Sequence, residues 1–221
     1  MIFRDRLEAG KRLALRLTRY AGRDDVVVAA VPRGGVPVGF EVAEALAAPL
    51  DVFIVRKLGL PGNEEYAMGA VASGGIRLVN PDVLSELGVP ANAVARVVEN
   101  EERELRRRER AYRRDVPSLE LRDKTVIVVD DGVATGASML AALRAVRRRG
   151  AARIVAAFPV ATRAAVAALS AAADEVVCVA TPEPFLAVGR FYEDFRQVED
   201  QEVVGFLRVA RAGRGPAALV P

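Results

Sequence analysis

The residues best placed to do chemistry lie between positions 126 and 138, in the run VIVVDDGVATGAS. Its apolar half predicts a buried strand that ends on Asp130 and Asp131, passes from Gly132 to Gly136, and opens a helix near Ala137. In an open α/β sheet such a strand, loop and helix sit at the carboxyl edge, where ligands bind. Two adjacent carboxylates beside a buried strand are costly unless they receive hydrogen bonds or a cation, and vicinal ribose hydroxyls or Mg²⁺ would supply either. The backbone amides of Ala134, Thr135, Gly136, Ala137 and Ser138, the hydroxyls of Thr135 and Ser138, and the helix N-terminus form a cradle suited to a phosphate monoester. Acids followed so closely by a phosphate cradle could hold ribose 5-phosphate by both ends. The plainer alternative is that the acids cap a strand and that Thr135 and Ser138 cap a helix.

Composition narrows the chemistry further. Histidine is absent and Cys178 is the single cysteine, which removes imidazole-based nucleophilic catalysis, internal disulfides and the usual zinc sites. Cys178 lies in an apolar run and reads as a buried, inert thiol. The net charge of +3, with Arg far outnumbering Lys, is compatible with anionic ligands. No run of about 18 apolar residues occurs and the start is charged, so a cytoplasmic protein is expected, with neither a membrane span nor a secretory leader.

The elements that must position the loop follow from hydrophobic patterning. Apolar, β-branched runs at 26–31, 51–55, 125–129, 153–158 and 175–180 read as buried parallel strands. Helical segments at 39–48, 138–150 and 162–173 alternate with them, which predicts a doubly wound, mainly parallel α/β sheet flanked by helices. Residues 2–20 read as an amphipathic helix, with Phe3, Leu7, Leu13, Leu17 and Tyr20 on its apolar face. Residues 91–115 read as a long helix with a sparse stripe of Val94, Val98, Leu105 and Tyr112. Glycines and Pro61 between 57 and 80 predict short strands at 67–72 and 75–79 around an exposed turn. The expected layout is one domain over 1–221: a core at about 26–180, a small hood from about 1–22 and 181–210, and a frayed tail over 211–221.

The segment at 126–138 resembles the phosphoribosyl pyrophosphate signature of type I phosphoribosyltransferases, and further segments follow in that family's order. The run VPRGGVPVG at 31–39 resembles its pyrophosphate loop, which implies Arg33, Gly34 and Gly35 as backbone donors to the diphosphate. The resemblance also makes Arg33-Gly34 or a neighbouring peptide a candidate for a non-proline cis bond. RKLG at 56–59 implies Lys57 as a pyrophosphate contact, and 59–75 would be a loop that closes over the site, a structural hairpin being the other reading. The segment 181–195 resembles the base-binding region and offers Phe185 and Val188 as base contacts. The resemblance implies transfer of a 5-phosphoribosyl group from phosphoribosyl pyrophosphate to a nitrogenous base. Mg²⁺ would be the cofactor, with Asp130 and Asp131 as indirect metal contacts, and Asp130, Asp131 and Lys57 as the catalytic set. A homo-oligomer fits the same resemblance. One departure stands out: 6-oxopurine members carry an acid where this chain has Ala134, which counts against hypoxanthine or guanine as acceptor.

Two rivals are weaker. RGGVPVG lacks the GxGxxG spacing of a dinucleotide fold, and no Lys follows Gly136 as a Walker loop requires. A regulator that senses phosphoribosyl pyrophosphate and binds nucleic acid would need a basic surface. Residues 101–115 supply arginines for it, but glutamates interleave with them.

Overall fold

The computed structural model describes residues 2–114 and 116–212. In chain order the elements are α1 (Arg6–Ala14), β1 (Val26–Ala30), α2 (Gly35–Leu46), β2 (Leu50–Val52), β3 (Val55–Leu60), β4 (Asn63–Ala72) and β5 (Ile76–Val79). They continue with α3 (Pro81–Glu86), α4 (Ala91–Arg113), β6 (Thr125–Val129), α5 (Ala137–Arg148), β7 (Arg153–Val160), α6 (Arg163–Leu169), β8 (Glu175–Ala180) and α7 (Asp200–Ala212). Five strands form a parallel sheet in the order β2-β1-β6-β7-β8, and β3, β4 and β5 form a separate antiparallel sheet.

The large sheet is covered on both faces, which explains why its strands are continuously apolar rather than alternating. Val26, Val28 and Ala30 of β1, with Ile127 and Val129 of β6, face a core completed by α1, α2, α4 and α7. Val27 and Ala29, with Val126 and Val128, face a second core completed by α5 and α6. Each buried valine adds about 1.5–3 kcal/mol of transfer free energy, so β1 and β6, buried along their whole length, are firmly fixed. They are also the strands whose carboxyl ends carry the two Gly-rich loops.

Several sequence expectations shift. The helix expected at 39–48 starts four residues earlier, at Gly35, and places Pro37 in its first turn, where a missing amide costs nothing. The expected helix over 2–20 divides into α1 and a 3₁₀ turn at Thr18–Tyr20. The expected strand at 51–55 also divides: β2 ends at Val52, and Val55 begins β3 of the small sheet. Residues 59–75 are largely a hairpin, with β3 and β4 paired in antiparallel register and bulged near Gly59. Strand β8 is half-buried because it is an edge, so Cys178 is half-buried rather than buried; desolvation still lifts its thiol to about 11. Of the tail expected to fray, residues 211 and 212 close α7 and the rest lies outside the described residues, as does position 115 of the long helix.

Residues 3–4 and 191–194 meet above the carboxyl edge of the sheet. Phe3 pairs with Tyr192 in a short parallel bridge, the Phe3 amide donates to Phe191 O at 2.7 Å, and the Glu193 amide donates to Phe3 O at 2.8 Å. Phe3, Ala9, Val160 and Tyr192 form a small apolar cluster there, with Phe185, Val188, Phe191 and Phe195 packed on it.

Candidate active site

The loop after β6 is fixed from below. The Val133 amide donates to Val160 O at 2.9 Å, the Thr162 amide to Val133 O at 3.1 Å, and the Thr162 hydroxyl to Ala134 O at 2.8 Å. Beyond this anchor the chain turns at Gly136, whose φ of +82° only glycine adopts cheaply, and enters α5. No side chain caps that helix. Among the described residues nothing accepts a hydrogen bond from the amides of residues 134 to 139, and the hydroxyls of Thr135 and Ser138 are likewise unbonded and exposed. The capping alternative fails on this geometry, because neither hydroxyl caps anything. A row of open amides at a helix N-terminus is an anion cradle, favoured by the aligned peptide dipoles.

The loop after β1 leans directly on the acids. A methyl group added to Gly34 would lie 2.0 Å from Asp131 Oδ2, and one added to Gly35 would lie 2.7 Å from Val129 O, so both positions are restricted to glycine by contact. The Gly35 amide donates to Val31 O at 3.1 Å, which corrects its expected availability as a diphosphate donor. The amides of Arg33 and Gly34 donate to no described residue and remain open. The non-proline cis peptide lies at Pro32-Arg33, one bond before Arg33-Gly34. The Arg33 side chain points toward α7, 3.6 Å from Asp200 and 3.9 Å from Glu199.

Asp130 and Asp131 are not solvent-facing, as a strand end would suggest. Asp130 Oδ1 accepts the Asp131 amide at 2.9 Å, and Asp131 Oδ2 accepts from Arg6 Nε at 2.8 Å in a pair whose side chains are 10% and 14% exposed. Burial, then the neighbouring charge of Asp131, raises Asp130 well above the usual carboxyl range. Burial raises Asp131 as well, and Arg6 works against the rise. The Tyr192 hydroxyl donates to Asp131 O, and burial pushes that phenol upward too.

Val188 packs on Gly132, where an added methyl would lie 2.4 Å from its Cγ1, so it forms part of the wall above the loop. Phe185 stacks at 5.0 Å on Phe191 inside the apolar cluster. Lys57 lies on β3 and shares with Ala137 and Ser138 the lining of a cleft of about 450 Å³ between the small sheet and α5. That cleft touches the loop at Ala137 and Ser138 and does not include the acids. The structure therefore brings together Asp131, Gly34, Gly35, Gly132 and Val188, while Lys57 reaches only the Ala137–Ser138 side.

Sequence reading missed Arg6, Tyr192 and Phe195. Arg6 lies among Ala9, Gly10 and Leu13 on the buried face of α1, and a cation on an apolar stripe was the available signal. Its partner is 125 residues away, beyond any local pattern. As for a metal, no group of three or more acids or thiols able to hold one occurs among the described residues. Two acids alone suit a Mg²⁺ ion carried mainly by a ligand's phosphates.

A family profile described as phosphoribosyl transferase domain matches residues 3–196. Two Mycobacterium tuberculosis proteins, provisionally named phosphoribosyl transferases, are each 46% identical over 206 residues, covering 93% of this chain and 46% of theirs. The chain thus spans about half the length of these curated relatives. The crystal structure of TT1426 from Thermus thermophilus is 45% identical, covers 94% of this chain and 98% of its own, and superimposes with a TM-score of 0.83.

Proposed function

The chain belongs to the phosphoribosyl transferase domain family, and on that premise we propose that it moves a 5-phosphoribosyl group from phosphoribosyl pyrophosphate to a nitrogenous base, releasing pyrophosphate. The observation that carries this reading is the row of open amides at 134–139, set directly after two buried acids and facing a glycine loop with its own open amides. The 5-phosphate would sit on residues 134–138 and the ribose hydroxyls on Asp130 and Asp131. The diphosphate would lie on the Arg33 and Gly34 amides, with Gly35 allowing close approach and Lys57 supplying charge.

Displacement at the anomeric carbon passes through an oxocarbenium-like transition state, with positive charge on the sugar and negative charge on the leaving group. Oriented amides and a cation at the diphosphate stabilise that departing charge, each on the order of several kcal/mol in a dry site. Bound with the substrate, Mg²⁺ would supply further neutralisation of the diphosphate. The buried acids hold the ring and lie close to the developing positive charge. Val188 and the Phe185–Phe191 stack offer an apolar wall for a planar base, and the segments 1–22 and 181–210 together would form the hood over it.

The regulator reading gains little support from α4. Its arginines are largely neutralised by their own helix or by neighbours: Arg107 and Arg108 pair with Glu104 at 2.7 and 2.8 Å, and Arg113 pairs with Glu109 at 2.9 Å and Asp51 at 3.0 Å. A nucleic-acid surface needs uncommitted cations. The direct test offers phosphoribosyl pyrophosphate and Mg²⁺ with each common nucleobase and measures pyrophosphate release. Release with at least one base is expected; tight binding of phosphoribosyl pyrophosphate with no release for any base would favour a sensor instead.

A further inference from the structure

We propose that Arg6 is a positioning residue of the ribose subsite: by engaging one oxygen of Asp131, it leaves each of the two acids a single oxygen for one of two vicinal hydroxyls. The proposal rests on reading Asp130 and Asp131 as acceptors for a sugar diol. Of their four carboxylate oxygens, Asp130 Oδ1 accepts the Asp131 amide at 2.9 Å and Asp131 Oδ2 accepts Arg6 Nε at 2.8 Å. Asp130 Oδ2 and Asp131 Oδ1 accept from no other residue's amide, hydroxyl or cation among the described residues, and the two carboxyl groups lie within hydrogen-bonding reach of each other. Two carboxyl groups held side by side, each with an oxygen that no other residue engages, match the two hydroxyls of a ribose.

Arg6 is itself held in place. Its Nη1 donates to Arg196 O at 2.8 Å, its guanidinium lies 3.9 Å from the Phe195 ring centre, and its side chain is 10% exposed. A planar fork can satisfy a carboxylate, a carbonyl and an aromatic face together, which a lysine ammonium cannot. Because Arg196 and Phe195 belong to the segment that zips to residues 3 and 4, the same guanidinium ties the covering segment to the acid pair. Without it, Asp131 Oδ2 would face Gly34 with no donor, and the carboxylate would be free to turn.

The test uses calorimetry of the full chain with ribose 5-phosphate and with 2-deoxyribose 5-phosphate, for the wild type, R6K and R6M. The wild type should prefer the ribose form by about tenfold or more, the size of one hydrogen bond to a charged group. R6M should lose that preference while keeping affinity for the deoxy sugar, which the cradle at 134–138 still holds, and R6K should recover part of it. Equal preference in R6M and wild type would overturn the proposal. So would a proportionate loss for both sugars, which marks a purely structural role. Should R6M not fold, a full wild-type preference in R6K overturns it equally. No preference in the wild type would instead sink the diol reading itself, a distinct result.

Discussion

Asp130 and Asp131 are neighbours in sequence but not in circumstance. Asp131 is bound to a guanidinium, whereas Asp130 accepts a backbone amide and otherwise meets the neighbouring carboxyl, so the cost of burying charge falls mainly on Asp130. Burial and the Asp131 carboxylate lift Asp130 well above 3.8. A carboxyl raised on folding adds stability while protonated, fully so below its unfolded pKa, and that stability is lost as pH rises through the folded value. Asp130→Asn keeps the Oδ1 acceptor and removes the charge. Its melting temperature relative to wild type should therefore climb as pH rises from about 4 to about 8; a difference that stays level or falls would show that Asp130 carries no such burden. The acid pair was legible in sequence because two charges at the end of an apolar strand demand explanation. Arg6 was not, since its meaning depends on a partner brought near only by the tertiary fold.

At the level of elements, the two loops owe their shape to close approach. A methyl on Gly34 would strike Asp131 Oδ2, whereas Gly205 in α7 has nothing within 4 Å. Gly34→Ala should cost about 1–3 kcal/mol, as overpacking does, and abolish sugar-phosphate binding. Gly205→Ala should be neutral or stabilising by up to about 1 kcal/mol. Chemical denaturation of both variants checks the pair, and equal stabilities would contradict the packing argument. The large sheet was readable from its apolar runs, down to the residue for 125–129 and 175–180. The small sheet was read only in part, because residues 51–57 form one apolar-to-basic run with no glycine or proline to mark where β2 ends and β3 begins. Hydrophobic pattern records burial, and Val52, Phe53 and Ile54 are buried straight across that break. Lys57 was accordingly placed after a strand, where it in fact lies within one.

Over the whole molecule, a sheet covered on both faces brings β1 and β6 to a common edge, and the joined segments around Phe3 and Tyr192 close above it. No described helix is long and apolar enough to cross a membrane. We propose that this shared edge holds a phosphorylated ribose between an acid pair and an open helix terminus. Calorimetric titration of phosphoribosyl pyrophosphate with Mg²⁺ into the wild type and the double variant Asp130→Asn, Asp131→Asn tests it most directly. The wild type should bind and the double variant should lose at least about a hundredfold in affinity, the worth of two hydrogen bonds to charged groups. An unchanged affinity in a folded double variant would contradict the account.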